Sequence, residues 1–541
     1  MVALCFTILV TNGEGRSQTP ALQSPQWNAF VDEFLAEARH TTDLTPQHFA
    51  DELAHTKAQL AQLRALDPAR LSPDEAFDQR FAESILVGRE LEQQRMRRWR
   101  MDPRVYMGSI QIVLAALDHD ASEKDRAARA AVVLDALRAI PIELRNGQDN
   151  LTLHVPRFRD PGVSLANAAA SVFATGIPAL AEGLPTQRAV LLAANTAARE
   201  AIADWIDFLT TYLPQRPKGS FAIGIETYDA MLKGQYLASF GSDDLYQDAL
   251  SEFDQTIEEL EMVAGGIDST KKQWQAIANE SNQGGPDTSK AVQIYQDAMN
   301  GARARLAGEP VIPIPWKERL DVVPREKRLL NTAYYASSSG SAARQADGTL
   351  VGQWRINQDD ATTRNFFGEH NSTVATVTAY AAYAGHMLAL YQMHNSSKLR
   401  RAAGSSMFAE GWGLYNEQLA QDTGAFPDER VHLRQLQLKL WRIARVVIDV
   451  GLHTGKMTET EATTLMTDRL GLVTAAADLE IAASADTPGS HLGYVGMMEL
   501  LKIRDELQSQ RGAQFSLSDF YERLLKTGPL PPALVRAALI G

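Results

Sequence analysis

The chain has 541 residues, 45% of them hydrophobic and 22% charged, with a formal net charge of −13. That acidic balance, without a concentrated basic surface, argues against a nucleic-acid partner, and no apolar run approaches the roughly 18–20 residues that a membrane-spanning helix needs. The single cysteine, Cys5, excludes an intramolecular disulfide and any cysteine-based zinc site.

The apolar MVALCFTILV (1–10) precedes the polar TNGEGRSQTPALQSPQ, so residues 1–26 are expected to be disordered or signal-like. The protein is then exported or periplasmic, with the cytoplasm as the alternative. Helical periodicity dominates from there. WNAFVDEFLAEARH (27–40) puts Phe30, Phe34 and Leu35 on one face, and residues 74–99 form a long amphipathic helix. Similar patterns recur at 120–138, 188–213, 243–264 and 288–306. RMRRWRMDPR (95–104), the most basic stretch, reads as a solvated helix end. Pro310, Pro313 and Pro315 forbid a helix in GEPVIPIPWKERLDVVPREK (308–327), which reads as an extended connection. NTAYYASSS and GTLVGQWRINQ predict a short antiparallel strand pair, with SSSGS (337–341) as a flexible loop. Helices resume near residue 370. The expected architecture is all-α, of mostly long helices with a small antiparallel β element. An N-terminal helical half (27–307) packs against a C-terminal half (308–541) that carries the β element and the site.

Six of the eleven histidines (370, 386, 394, 432, 453 and 491) fall between residues 370 and 491. In LKLWRIARVVIDVGLHTG (438–455) the apolar residues surround the helix and predict burial, yet Arg442, Arg445, Asp449 and His453 form one stripe. Buried ionisable groups are costly unless paired or facing a polar cavity. Two readings follow: an internal ladder Arg445–Asp449–His453, or a cleft wall whose arginines bind an anion while Asp449 orients His453. In SSMFAEGWGLYNEQLAQ (405–421), Glu410 sits between Phe408 and Trp412, Glu417 lies on its side of the helix, and Tyr415 lies on another. A carboxylate in such surroundings should have a raised pKa. In TAYAAYAGHML (378–388), Tyr380, Tyr383 and His386 share a face.

No histidine is followed by glutamate, so the HExxH zinc motif is absent, as are the GxSxG elbow, the Walker loop and GxGxxG. The chain nevertheless resembles the bacterial helical proteins grouped as domain of unknown function 885, which are similar to zinc metallopeptidases. The family pattern HEAYPGHHLQ aligns with YAAYAGHMLA (380–389), and EGWALYAE with EGWGLYNE (410–417). The arginine-rich helix ending in DTGLH aligns with RIARVVIDVGLH (442–453), Pro-Gly-Gln plus Tyr with PGSHLGY (488–494), and FHD…L…G.LP with FYERLLKTGPLP (520–531). Weaker likeness covers IGIETYDAMLKGQYL (223–237) and LRAIPIELRNGQDNL (137–151).

The resemblance implies a metallopeptidase-like helical architecture around a cleft. The departures fall on its chemistry: Tyr380 replaces the first histidine, Ala381 the adjoining glutamate, Ser490 the Pro-Gly-Gln glutamine and Tyr521 the late histidine. His386 and Glu410 remain as possible zinc ligands, with His370, His394 or His491 needed for a third, since a zinc site takes about three protein ligands. The expectation is an enzyme without a cofactor, acting by acid–base lyase or hydrolase chemistry on a small anionic or aromatic molecule. Tyr380, Tyr383, His386, Glu410, Asp449 and His453 are its catalytic candidates. Arg442, Arg445, Tyr415, Tyr494 and His491 are its substrate-binding candidates. A phenol near arginines is expected to ionise readily. The alternatives are an inactive pseudo-peptidase binding a peptide or partner, and a zinc peptidase with rearranged ligands. The sequence leaves the oligomeric state open.

Overall fold

The computed structural model describes residues 25–36, 41–117, 125–270, 273–281, 290–308, 312–324, 337–356, 371–426, 428–489 and 491–541. The helices before the sheet are α1 (Pro25–Ala36), α2 (Pro46–Ala65), α3 (Pro73–Leu91), α4 (Gly108–Leu117), α5 (Arg126–Asn150), α6 (Pro156–Glu182), α7 (Arg188–Asp207), α8 (Ile225–Gly234), α9 (Ser242–Ile267), α10 (Trp274–Ser281) and α11 (Ala291–Gly308). Strands β1 (Glu318–Pro324), β2 (Ser337–Arg344) and β3 (Leu350–Ile356) follow. The chain then forms α12 (Asn371–Val377), α13 (Ala384–Asn395), α14 (Lys398–Ala402), α15 (Ser406–Asp422), α16 (Glu429–Thr454), α17 (Glu459–Thr464), α18 (Thr474–Asp486), α19 (Gly493–Arg511), α20 (Leu517–Thr527) and α21 (Pro532–Leu539).

The all-α expectation holds, and the strand pair is there: β2 runs antiparallel to β3. Two details differ. SSSGS is part of β2, in a strand whose register shifts on both sides of Gly340. The supposed linker also contributes β1, parallel to β3, giving the order β1-β3-β2. Alternation explains it, since Leu320 and Val322 are buried while Arg319 faces out. Residues 1–24, the stretch NTAYYA, His370 and the side chain of Tyr383 lie outside the described residues.

Two hydrophobic cores form. One joins Tyr106 to Leu213, chiefly from α4–α7. The other packs α1–α3 with α8–α21 and the sheet, so it draws on both sides of residue 308. Helix α6 shows no charge periodicity, and Pro161 and Pro178 lie within it. Contrary to the sequence reading, it is long and apolar enough to cross a membrane by length and composition, the one such helix among the described residues. Its inner face of Ala166, Ala169, Phe173 and Ile177 is buried in the first-mentioned core. The basic stretch 95–104 is only partly solvated, with Arg95 and Arg97 exposed. Arg98 and Arg104 stack on Phe158, and both bond to Asp486.

Helix α16 is the central strut. Asp428 caps it by accepting from the N–H groups of Arg430 (2.8 Å) and Val431 (3.1 Å), and Gly455 ends it in the left-handed region at φ 75°. Helices α15 and α19 cross with their backbones touching. A Cβ on Gly496 would lie 1.9 Å from the Met407 carbonyl oxygen, and one on Gly411 would lie 2.5 Å from the Gly496 carbonyl carbon. Backbone cannot yield as a side chain can. Gly496→Ala is therefore expected to lower stability by about 3 kcal/mol in urea denaturation; a loss under about 0.5 kcal/mol would contradict this crossing.

Candidate functional site

Successive residues of EGWGLYNE divide their work around α15. Glu410 faces α19, where Gly493 leaves it room: a Cβ there would lie 2.6 Å from Oε2. Gly411 lets α19 approach. Trp412 donates its indole N–H to the Ala384 carbonyl at 3.0 Å, tying α15 to α13. Gly413 lies against Tyr380, whose ring would be 2.8 Å from a Cβ at this position. The family pattern carries Ala at this position and His where Tyr380 stands, so the larger ring occupies space that the missing methyl leaves. Glu417 completes the set, accepting both guanidinium arms of Arg442 at 3.1 Å.

Tyr380 lies in the widened π turn Thr378–Tyr383, which leads into α13. Such turns insert one extra residue per turn and often sit at functional sites. The Arg442 guanidinium stacks 4.5 Å above the Tyr380 ring. Along α16, Arg445 pairs with Glu480 of α18 at 2.9 Å and lies 4.7 Å above the Trp441 ring. Of the ladder Arg445–Asp449–His453, one of the two readings of this stripe, only the Asp449–His453 rung lies within ion-pair distance, and each member also finds a partner on another element. Asp449 Oδ2 accepts from the Tyr228 hydroxyl at 2.6 Å and the Gly489 N–H at 2.8 Å. His453 donates Nε2–H to the Ser484 carbonyl at 2.8 Å, and Asp449 stands 3.7 Å away. That bond fixes the tautomer and leaves Nδ1 buried without a hydrogen bond.

The electrostatics single out Glu410. It is half-buried and makes no hydrogen bond or ion pair among the described residues. Burial pushes its carboxyl up to about 7, against the pull of Arg445 and Arg442. Burial likewise raises Asp449 to about 7, opposed by Tyr228, Gly489 and Arg445, and lowers His453 to about 4. Tyr380 does not ionise readily, contrary to expectation. Burial and Glu410 raise its pKa more than Arg442 lowers it, so the phenol keeps its proton. Tyr236, held by its bond to the Gly489 carbonyl (3.2 Å), is raised by burial and then by Asp449 and Glu410. His491 is buried near Arg445 and His453, which add to burial in pushing it well below its ordinary value.

Glu410, Tyr380, Arg442, Arg445, Asp449, His453 and His491 thus gather around one stretch of α16. Three other candidates face elsewhere. His386 is fully buried with its Nε2 2.8 Å from Glu318, which also pairs with Arg303 at 2.6 Å. Its other ring nitrogen would lie 2.5 Å from a Cβ on Gly352 in β3, so the ring faces the sheet. The Tyr415 hydroxyl accepts from Tyr521 at 3.1 Å and Arg504 at 3.3 Å, within an aromatic core. Tyr494 donates to Glu252 of α9 at 2.9 Å. The sequence reading missed Tyr228, Tyr236 and Glu480. The first two lie in IGIETYDAMLKGQYL, which carried likeness but no chemical spacing.

These residues do not fit the zinc centre that the resemblance implies. Tyr380 and Ala381 supply no nitrogen ligand or carboxylate, and His386 is committed to Glu318. His394 stacks on Trp316 at 4.7 Å. Among the described residues, no group of three or more His, Cys, Asp or Glu could hold a metal ion.

Comparison with known proteins agrees with this fold. The pattern of a family described as bacterial protein of unknown function (DUF885) matches residues 26–539. No curated protein matches the sequence. A protein of unknown function from Shewanella oneidensis, named as a lipoprotein, superposes with a TM-score of 0.82 at 19% identity, over 95% of this chain and 99% of its own. A second named lipoprotein, from Colwellia psychrerythraea, gives 0.74 at 18%, over 95% and 96%. An M32 carboxypeptidase from Deinococcus radiodurans reaches only 0.35 at 11% identity, too distant to transfer anything.

Two outcomes check the packing and the protonation. Gly413→Ala is expected to cost about 1–3 kcal/mol, and Tyr380→His in the same chain should recover most of it; additive losses in denaturant melts would contradict the contact. Asp449 keeps its proton to about pH 7 when folded but only to about 4 when unfolded. Its contribution to stability is thus full below about pH 4 and is lost as pH rises through about 7. Asp449→Asn, whose amide oxygen can still accept from Tyr228 and Gly489, should flatten the fall in stability between about pH 4 and 7. An unchanged slope would refute the raised pKa.

Proposed function

The chain belongs to the DUF885 family of bacterial proteins, and we propose that it is an acid–base enzyme that works without a metal. The observation that carries this reading is Glu410: an unpaired carboxyl near pKa 7, beside a tyrosine that keeps its proton. Two titratable groups pushed apart in this way suit opposite roles. Glu410 as carboxylate takes a proton from the substrate or from an attacking water, and Tyr380 gives one to the departing group. A lyase or a hydrolase would use the same pair.

Substrate class follows from the arginines. Arg442 and Arg445 already pair with Glu417 and Glu480, so their charges are balanced before a substrate arrives. Tyr380, Trp441 and Tyr236 supply aromatic surface nearby. A small aromatic substrate is therefore favoured over a strongly anionic one. Asp449 holds the Gly489 peptide and Tyr228, a positioning role behind the reacting pair. His491 and His453, both with lowered pKa values, stay neutral beside it at physiological pH. The names of the two lipoproteins favour an exported, periplasmic location.

Activity is expected to rise with pH to a plateau above about 7, following ionisation of Glu410. Glu410→Gln should cost at least about 10²-fold in kcat, and Tyr380→Phe about 10-fold or more, with chelators inert. Purified protein holding stoichiometric zinc, or full turnover by Glu410→Gln in a screen of small aromatic substrates, would overturn the proposal.

A further inference from the structure

A cavity of about 530 Å³ lies between α3, the turn that continues it, the end of α8, and the start of α15. That volume suits a small molecule. Tyr236 is part of its wall, and neither Glu410 nor Tyr380 lines it. Phe81, Ile85, Met96 and Met231 give it apolar walls, and Glu92 and Gln93 bring acceptors to it.

Two guanidiniums and one carboxylate line the cavity, but both arginines are engaged outside it, and the acceptors Glu92 and Gln93 keep unused capacity. The Glu92 carboxylate makes no hydrogen bond among the described residues, and its ion pair to Arg98 is long, at 3.8 Å. Arg98 is itself committed elsewhere. It donates to the Asp486 carbonyl, faces Asp102 at 3.9 Å and stacks on Phe158 at 5.1 Å. Arg89, the other cation at the cavity, stacks on Phe34 at 4.6 Å. Gln93 has a buried Oε1 with no hydrogen-bond partner. Glu92 and Gln93 both lie in the π turn Glu92–Met96, which interrupts the helix at this wall and swings the carboxylate into the space. Arg97 ends the turn in the left-handed region at φ 47°, where a residue other than glycine is strained. Burial raises the Glu92 pKa, with Arg98 opposing; a carboxylate in this position is stabilised by a donor that brings positive charge.

We infer that this cavity binds a small molecule with a primary ammonium group on an apolar body, the ammonium against Glu92 and Gln93 and the body against Phe81, Ile85, Met96 and Met231. An ammonium offers three N–H donors and one positive charge, which matches two acceptors and an under-paired carboxylate. Tyr236 borders both this site and the one at Glu410, but neither Glu410 nor Tyr380 lines the cavity.

The test is calorimetric titration of the full chain with 2-phenylethylammonium, 2-phenylethanol and 3-phenylpropionate, which share an aromatic body and differ in charge. The expected result is one ammonium per chain, bound at least about tenfold more tightly than the alcohol or the carboxylate. Glu92→Gln should weaken it about tenfold or more, and Ser406→Trp at the cavity rim should abolish it, both with unchanged melting temperature. Glu410→Gln should bind as wild type does, which separates this site from the proposed catalysis. Equal or tighter binding of the carboxylate, ammonium affinity untouched by Glu92→Gln, or no binding of any probe would overturn the inference.

Discussion

Burying an ionisable group is expensive, and α16 buries Arg434, Arg442, Asp449 and His453, with Arg445 half-buried beside them. The fold answers this by bringing a partner to nearly every one. Glu417 comes from α15, Glu480 from α18, Tyr228 from α8, and the Gly489 and Ser484 backbone groups from around the end of α18. Breaking one such buried pair costs several kcal/mol because the remaining charge is left alone. The helices around α16 are thus held in register by its charges as much as by its leucines and valines. Against this background of matched groups, an unmatched carboxyl stands out, and Glu410 is that carboxyl.

Glycines set how closely the site closes. Gly411 and Gly496 let α15 and α19 meet backbone to backbone, and Gly493 gives the Glu410 side chain its place. Gly413 accommodates Tyr380. The tyrosine therefore occupies a prepared space, with its ring between the glycine of one helix and the Arg442 guanidinium of another. Where the resemblance implies a ligand nitrogen, this chain has a phenol that holds its proton.

Periodicity made much of this legible. The polar stripe on α16, its burial and the raised pKa of Glu410 all follow from local spacing and composition. What periodicity cannot give is the partner. Arg445 and Asp449 are four residues apart and invite pairing, yet Glu480 and Tyr228, distant in sequence, take them. The resemblance groups His386 with Glu410, whereas Glu318, at the start of a strand that reads in sequence as a proline-rich connection, binds that histidine. Tyr415 is five residues beyond Glu410, about 140° around the helix at 3.6 residues per turn. Its place in the aromatic core was in principle readable from that angle alone.

The central claim is that Glu410 carries an unpaired carboxyl which titrates near neutrality in the folded protein. The most direct measurement is a pH titration of the native chain with ¹³C-labelled glutamate carboxyls, with the Glu410 resonance assigned by its loss in Glu410→Gln. A midpoint near 7 is the predicted result. A midpoint in the ordinary carboxylate range, about 4–5, would mean that a cation or hydrogen-bond donor already satisfies Glu410, and the account of the site would fail.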